Sequence, residues 1–311
     1  GVGVTRKFGD ISVYASYKES SRNPSVAELG CADPDQPCRL PNSFQADPPL
    51  DMVKNRNIEL GARGVKAYNL FGMNHNINWN TSAYAGRNFN DIIFIGGNRV
   101  GTGYFRNVGN TQRMGTELGL NGKLGNKLSW YGNYSYVRAT FETSQNISSA
   151  GHSSNPFECD GAIAGATAND QDACESSEGY QIGVGPGDAI PGLSPHVTRI
   201  GIGYAPTESF SMALDTEYNS NQFYRGDENN HHGKKVPGYF LLNASAEFKL
   251  PLKANSPFST VFFLDGRNLL DTNFETGGIV AENEVEGTGG SGTFVTPGQP
   301  LSIMGGMHIR W

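Results

Sequence analysis

The last eleven residues, Leu301–Trp311, sort into two sets by taking every second position. Leu301, Ile303, Met307, Ile309 and Trp311 fall in one set, and Ser302, His308 and Arg310 in the other. A side-chain period of two belongs to a β-strand with one apolar and one polar face. The pattern recurs in "ISVYASY", "NIELGARG", "NINWNTSAYAG", "MGTELGLNGKL", "SFSMALDTEY" and "YFLLNASAEFKL". Ten or eleven such segments, each about ten residues long, are the signature of a transmembrane barrel wall. No apolar run approaches the roughly 18 residues of a spanning helix, the longest being "VFFL" at Val261–Leu264. A soluble sandwich would turn its apolar face inward, but only 37% of the 311 residues are hydrophobic. Such a sandwich also leaves the terminal Trp311 unexplained, whereas an interfacial aromatic belt accommodates it.

Connection lengths alternate along the chain. Tight turns fall near Gly9, Asn126, Pro206 and Asn255, and long loops at about 18–55, 142–194, 220–236 and 271–298. Sorting of this kind predicts short periplasmic turns on one side and long extracellular loops on the other. Loops longer than about 12–15 residues usually carry function or are disordered.

The four cysteines form two close pairs, Cys31 with Cys38 and Cys159 with Cys174, in polar loop stretches. Their spacings are not those of a zinc site. Three connectivities are open to four cysteines. The local one is expected, as two loop disulfides in an oxidising compartment. The net charge of −6 argues against a nucleic-acid partner, which selects basic surfaces.

Chemistry-bearing residues concentrate in the long loops. "YRGDENNHH" supplies Arg225, Asp227, Glu228, His231 and His232, and His152 stands alone in the preceding long loop. Guanidinium, carboxylate and imidazole groups can meet a metal chelate or an anionic ligand by charge and hydrogen bonding, although a solvated loop has the same composition. Arg63, Glu117, Asp215, Glu217, Glu247 and Lys249 fall on the polar side of the strands and are expected to line the lumen. No Ser/His/Asp set has catalytic spacing. The glycine-rich "GVGPGDAIPG" opens no helix and is no phosphate cradle. No enzyme, catalytic residue, resident metal or cofactor is expected.

Several of these segments together resemble a known family. "YASYKESSRNPSVAELG", "NRNIELGARG", "YFRNVGNTQRMGTELGL", "PGYFLLNASAEF" and "VFFLDGRNLLDTNFET" are similar, in order and spacing, to stretches of TonB-dependent outer-membrane receptors. That family usually closes on Phe, and here the last residue is Trp311. The resemblance runs from about residue 8 to 311. It implies an all-β fold: an antiparallel transmembrane β-barrel represented by its 10–11 C-terminal strands out of about 22, with the plug domain missing. It further implies a bacterial outer-membrane receptor for a scarce ligand, first a ferric siderophore or other metal chelate. Cobalamin, another cofactor or a glycan are the alternatives, and a passive porin is the competing class. The partners implied are the N-terminal plug and first half of the barrel, the TonB energy-coupling complex acting through the plug, and the surrounding lipid and lipopolysaccharide.

Overall fold

The computed structural model describes residues 1–33, 50–70, 72–96, 103–149, 152–153, 181–251, 258–283 and 290–310. In chain order the elements are β1 Val2–Phe8, β2 Ile11–Arg22, α1 Val26–Gly30, β3 Val53–Leu70, β4 Met73–Phe89, β5 Ile92–Gly96, β6 Gly103–Asn107, β7 Thr111–Leu124, β8 Leu128–Phe141, β9 Gln145–Ser148 and β10 Gln181–Val184. They continue with β11 His196–Tyr204, β12 Phe210–Asn219, β13 Gln222–Phe223, β14 Lys235–Val236, β15 Tyr239–Lys249, β16 Ser259–Arg267, β17 Glu275–Asn283, β18 Gly290–Pro297 and β19 Ser302–Arg310.

Eleven strands pair in the order β1-β2-β3-β4-β7-β8-β11-β12-β15-β16-β19, every neighbour antiparallel. This is a segment of barrel wall, and the described residues include no plug. Directly paired residues point to the same side, so the register propagates the alternation from strand to strand. Leu264 meets Ala246 on one side and Gly305 on the other, and Phe262 meets Phe248 and Met307. The result is one continuous apolar face. Its large side chains are bare: Leu60 is 58% exposed, Ile200 55%, Ile303 67% and Met307 58%. A wall of this size exposing Leu, Ile, Phe or Met in all but one of its described strands is incompatible with water on that face. In lipid the same arrangement satisfies the backbone between strands and leaves the apolar side chains in their preferred solvent.

Aromatic groups border the apolar face at both ends. At the short-turn end, Trp130 Nε1 donates to His75 Nε2 at 3.1 Å, which leaves the His75 proton on Nδ1, 2.7 Å from the Tyr68 hydroxyl. At the long-loop end, Tyr136 packs against His196 with ring centroids 4.9 Å apart, and the Tyr134 hydroxyl lies 2.9 Å from His196 Nδ1. Such belts suit the level where hydrocarbon gives way to water. Trp311 itself lies outside the described residues.

The opposite face carries the polar network. Tyr14 donates to Glu59 at 2.8 Å, Tyr131 to Asp215 at 2.5 Å, and Arg199 pairs with Glu217 at 3.4 Å. The Tyr131 ring lies across Gly201 of the neighbouring strand, where a Cβ would collide with it.

Two expectations need correction. Strands β3 and β4 run to 18 and 17 residues, well beyond ten, because the ends of β3 (Lys54–Asn57 and Lys66–Asn69) stay in the ladder with those of β4 (Gly86–Phe89 and Asn74–Ile77). The hydropathy alternation marks only the part that faces the apolar medium. The loop placed at about 18–55 therefore shrinks to 23–52, since β2 reaches Arg22 and β3 starts at Val53. It holds the short helix α1, started by a capping box in which Ser25 and Glu28 satisfy each other's backbone N–H. A further long connection, 90–110, was not anticipated. It carries the β5–β6 hairpin. The remaining long connections carry β9–β10, β13–β14 and β17–β18. On the other side, the chain reverses at Gly9 and Gly125, both with φ of +59°, a value glycine adopts without strain.

Candidate functional site

The only hydrophobic cores lie in the long connections, among the described residues. One contains Ile95, Tyr104, Val108, Phe141, Ile147, Ile182 and Val184, and so ties β5–β6 to β9–β10. The second contains Tyr224, Val236 and Val280 and ties β13–β14 to β17. The long connections are therefore packed structures standing on one rim of the wall.

The segment 224–234 is built on the second core. Three left-handed residues, Gly226 (φ +89°), Asn230 (φ +61°) and Gly233 (φ +80°), coil it tightly. Gly226 also passes so close to β17 that a Cβ would stand 2.8 Å from the Val280 carbonyl oxygen. Arg225 donates its N–H to the Gly278 carbonyl and accepts from the Val280 N–H, attaching the segment to β17. From the other side, Ser149 donates to the Gly226 carbonyl. Asn230 exchanges two hydrogen bonds with the backbone of Ala189, at 2.6 and 3.0 Å.

This packing brings most of the sequence candidates together. His152 donates from Nε2 to Asp227 Oδ1 at 3.0 Å, across 75 residues of chain, with both side chains at 0% exposure. The same oxygen accepts the backbone N–H of His232 at 3.0 Å. Ser153 Oγ lies 3.2 Å from His232 Nδ1, and the His152 and His232 rings are 5.5 Å apart. Glu228 is buried next to them and accepts the Gly226 N–H at 3.0 Å. Burial pushes its pKa up to about 7, and Asp227 adds to the rise. Burial, followed by the neighbouring His152, lowers the pKa of His232. Asp227 Oδ2, Glu228 Oε2 and His232 Nε2 are buried without a hydrogen-bond partner among the described residues.

Arg225 and His231 stand apart from this cluster. Both are exposed on the same segment, and the His231 N–H donates to the Asn229 side chain at 3.1 Å. No group of three His, Cys, Asp or Glu side chains among the described residues is arranged to hold a metal ion. The cluster thus offers hydrogen-bonding and charged groups on a fixed frame, with Arg225 and His231 reaching solvent. Cys31 is buried and disulfide-bonded. Cys38, Cys159 and Cys174 lie outside the described residues, so the two expected pairings do as well.

Sequence reasoning treated His152 as isolated and passed over Ser149, Ser153 and Asn230. Their partners lie 41 to 79 residues away, and only the polar composition of "GHSS" and "DENNHH" hints at them.

Residues 2–269 match the family described as TonB dependent receptor-like, beta-barrel. No curated protein sequence matches this one. Among solved structures, the chain is similar to the siderophore receptor PiuA from Acinetobacter baumannii, with 16% identity and a TM-score of 0.58 over 99% of this chain and 35% of that one. It is similar to the copper transporter OprC, with 16% identity and a TM-score of 0.60 over 97% of this chain and 38% of that one. The ferric-catecholate import receptor Fiu from K12 E. coli matches with 16% identity and a TM-score of 0.53, over 99% and 34%. The chain spans between a third and two fifths of the length of these proteins.

Proposed function

This chain belongs to the TonB-dependent receptor β-barrel family, and on that premise we propose that it is wall and loop of an outer-membrane receptor that imports a metal chelate, first a ferric siderophore. The long-loop end faces the outside of the cell and the short turns face the periplasm. The plug and the other strands of the receptor close the barrel, and the TonB complex drives release of ligand through the plug. The observation that carries this reading is the sorting of every packed loop, with its buried polar cluster, to one rim of a wall whose face is otherwise bare and apolar. A solute-filtering pore has no need of four cross-braced hairpins at its mouth.

Within that reading, Arg225 and His231 contact the chelate. A metal chelate presents anionic oxygens, and an exposed guanidinium binds these through charge-assisted hydrogen bonds. His152, Asp227, His232 and Glu228 hold the segment in shape. The bridges Cys31–Cys38 and Cys159–Cys174 stiffen the flanking loops. The test is growth under iron limitation on a panel of ferric chelates, in a deletion strain complemented with wild type or with Arg225, Asp227, Glu228, His231 and His232 all replaced by Ser. At least one chelate should restore growth through the wild type and fail through the replaced protein, while the barrel keeps its heat-modifiable gel shift. Equal growth with both would remove this loop from ligand binding, and no chelate-dependent growth at all would refute metal-chelate uptake.

A further inference from the structure

Among the described residues, the long-loop end of the apolar face carries positive charge in one place, while Arg6 and Lys66 stand on that face at its short-turn end. Arg56 pairs in register with Arg87, and Lys54 with Phe89, at the long-loop ends of β3 and β4. Arg56 shares its face with Ile58 and Leu60, so all four of these side chains point toward the apolar side. By the same register Arg138 shares the face with Tyr134 and Tyr136, opposite Met114. The Arg56 and Arg87 side chains are 60% and 45% exposed. Both guanidiniums lie over the Phe89 ring, 5.2 and 5.4 Å from its centroid. Glu19 reaches Arg56 at 2.8 Å and Glu142 reaches Arg87 at 3.7 Å, which leaves four basic groups against two acidic ones.

Position makes this patch specific. Across β11, β12, β15, β16 and β19, the apolar face has no Lys or Arg among the described residues. A general attraction to an anionic surface would spread around the whole rim, whereas here the charge is gathered on β3, β4 and β8. Beside it lies a cleft of about 570 Å³, lined among others by Glu19, Met52, Lys54, Arg56, Phe89 and Asn90. The cleft has cationic walls, an aromatic floor and an exposed methionine, directly above the bare band of Ile58 and Leu60.

We propose that this cleft seats the phosphorylated headgroup of a lipid in the outer leaflet, whose chains lie along the apolar face below. The inference rests on the orientation given under the proposed function. Arg presents a planar fork of donors that fits a phosphate in two-point contact, and Lys54 adds a point charge. The Phe89 ring holds the two guanidiniums in place from beneath, by cation–π attraction.

The whole receptor, purified in mild detergent from the outer membrane, is the material for the test. Bound phosphorylated lipid is counted by mass spectrometry in wild type, in the double variant Arg56→Gln/Arg87→Gln, and in Lys66→Gln. Lys66 is an exposed cation on the same face at the short-turn end. The double variant should lose at least about fivefold of the retained lipid, and Lys66→Gln should match wild type. Equal retention in wild type and double variant would overturn the inference, as would equal loss in both variants. A second arm needs no variant: a photoactivatable phosphorylated lipid added to wild type should crosslink to residues 52–56 and 87–90. Crosslinks spread evenly around the wall would also overturn it. Both readouts are bound lipid, so a failure of chelate uptake is seen separately, in the growth assay, and does not mimic either result.

Discussion

Glu228 provides a quantitative test of the loop architecture. Its carboxyl ordinarily titrates near 4.5, and burial raises this to about 7, with Asp227 contributing in the same direction and His152 opposing. The folded loop therefore keeps a proton that an opened loop releases. The associated stability is fully present below pH 4.5 and is lost as the pH rises through about 7. At about 1.4 kcal/mol per pH unit, that interval corresponds to roughly 3 kcal/mol of loop stability. His232 acts in the opposite sense: its pKa is lowered from 6.5, so its contribution is present above pH 6.5 and disappears as the pH falls through the folded value. Replacing Glu228 with Gln isolates the first effect, because the amide oxygen can still accept the Gly226 N–H. The probes are the backbone amides of Asp227, Asn230 and His232, all hydrogen-bonded inside the segment. Hydrogen exchange, corrected for intrinsic rate, should show the wild-type opening free energy falling by about 3 kcal/mol relative to that of Glu228→Gln between pH 4.5 and about 7. In Glu228→Gln the drop should be absent, leaving the rise due to His232. Superimposable pH curves for the two proteins would refute the buried, protonated carboxyl.

Asp227→Ala removes the acceptor of both His152 Nε2 and the His232 N–H. Breaking one side of a buried pair costs about 3–5 kcal/mol, so limited proteolysis should cut within 224–234 while the barrel's gel shift is unchanged. Leu264→Arg introduces a cation on the apolar face between Ala246 and Gly305, at a cost of about 2–4 kcal/mol if near the bilayer midplane. Ser245→Arg, one position off in the paired strand and opposite Asp265 on the polar face, should cost less in bilayer folding titrations of the receptor.

The wall was legible in the sequence because its information is local. Alternation in "YFLLNASAEFKL" or "LSIMGGMHIR" fixes which face each residue takes, and antiparallel pairing carries that choice across the sheet. Loop sorting needed only lengths. The extension of β3, and of β4 with it, was hidden because Lys54–Asn57 is polar on both faces and Lys66–Asn69 mixes Lys, Ala, Tyr and Asn, so period two fades while the ladder continues. The β5–β6 hairpin was missed for a related reason: "DIIFIG" is apolar on both faces, as suits a hairpin buried in a local core rather than standing in the wall. The site was half legible. Residues 225–232 announce themselves by composition, but the contact of Asp227 with His152 joins two loops and rests on how the hairpins stack. Nothing in either segment alone encodes it. The basic patch on β3 and β4 was invisible for the same reason, since Arg56 and Arg87 become neighbours only through the register.

The central claim is that the face bearing Leu264 lies in lipid and the face bearing Phe263 and Asp265 lies in the lumen. Nitroxide spin labels placed singly at positions 261 to 266 of β16, in the receptor reconstituted into bilayers, test it directly. Collision with oxygen, which concentrates in hydrocarbon, should peak at 262, 264 and 266. Collision with a water-soluble nickel chelate should peak, or both should be low through packing, at 261, 263 and 265. Oxygen accessibility that peaks at the odd positions, or shows no period of two, would contradict the account.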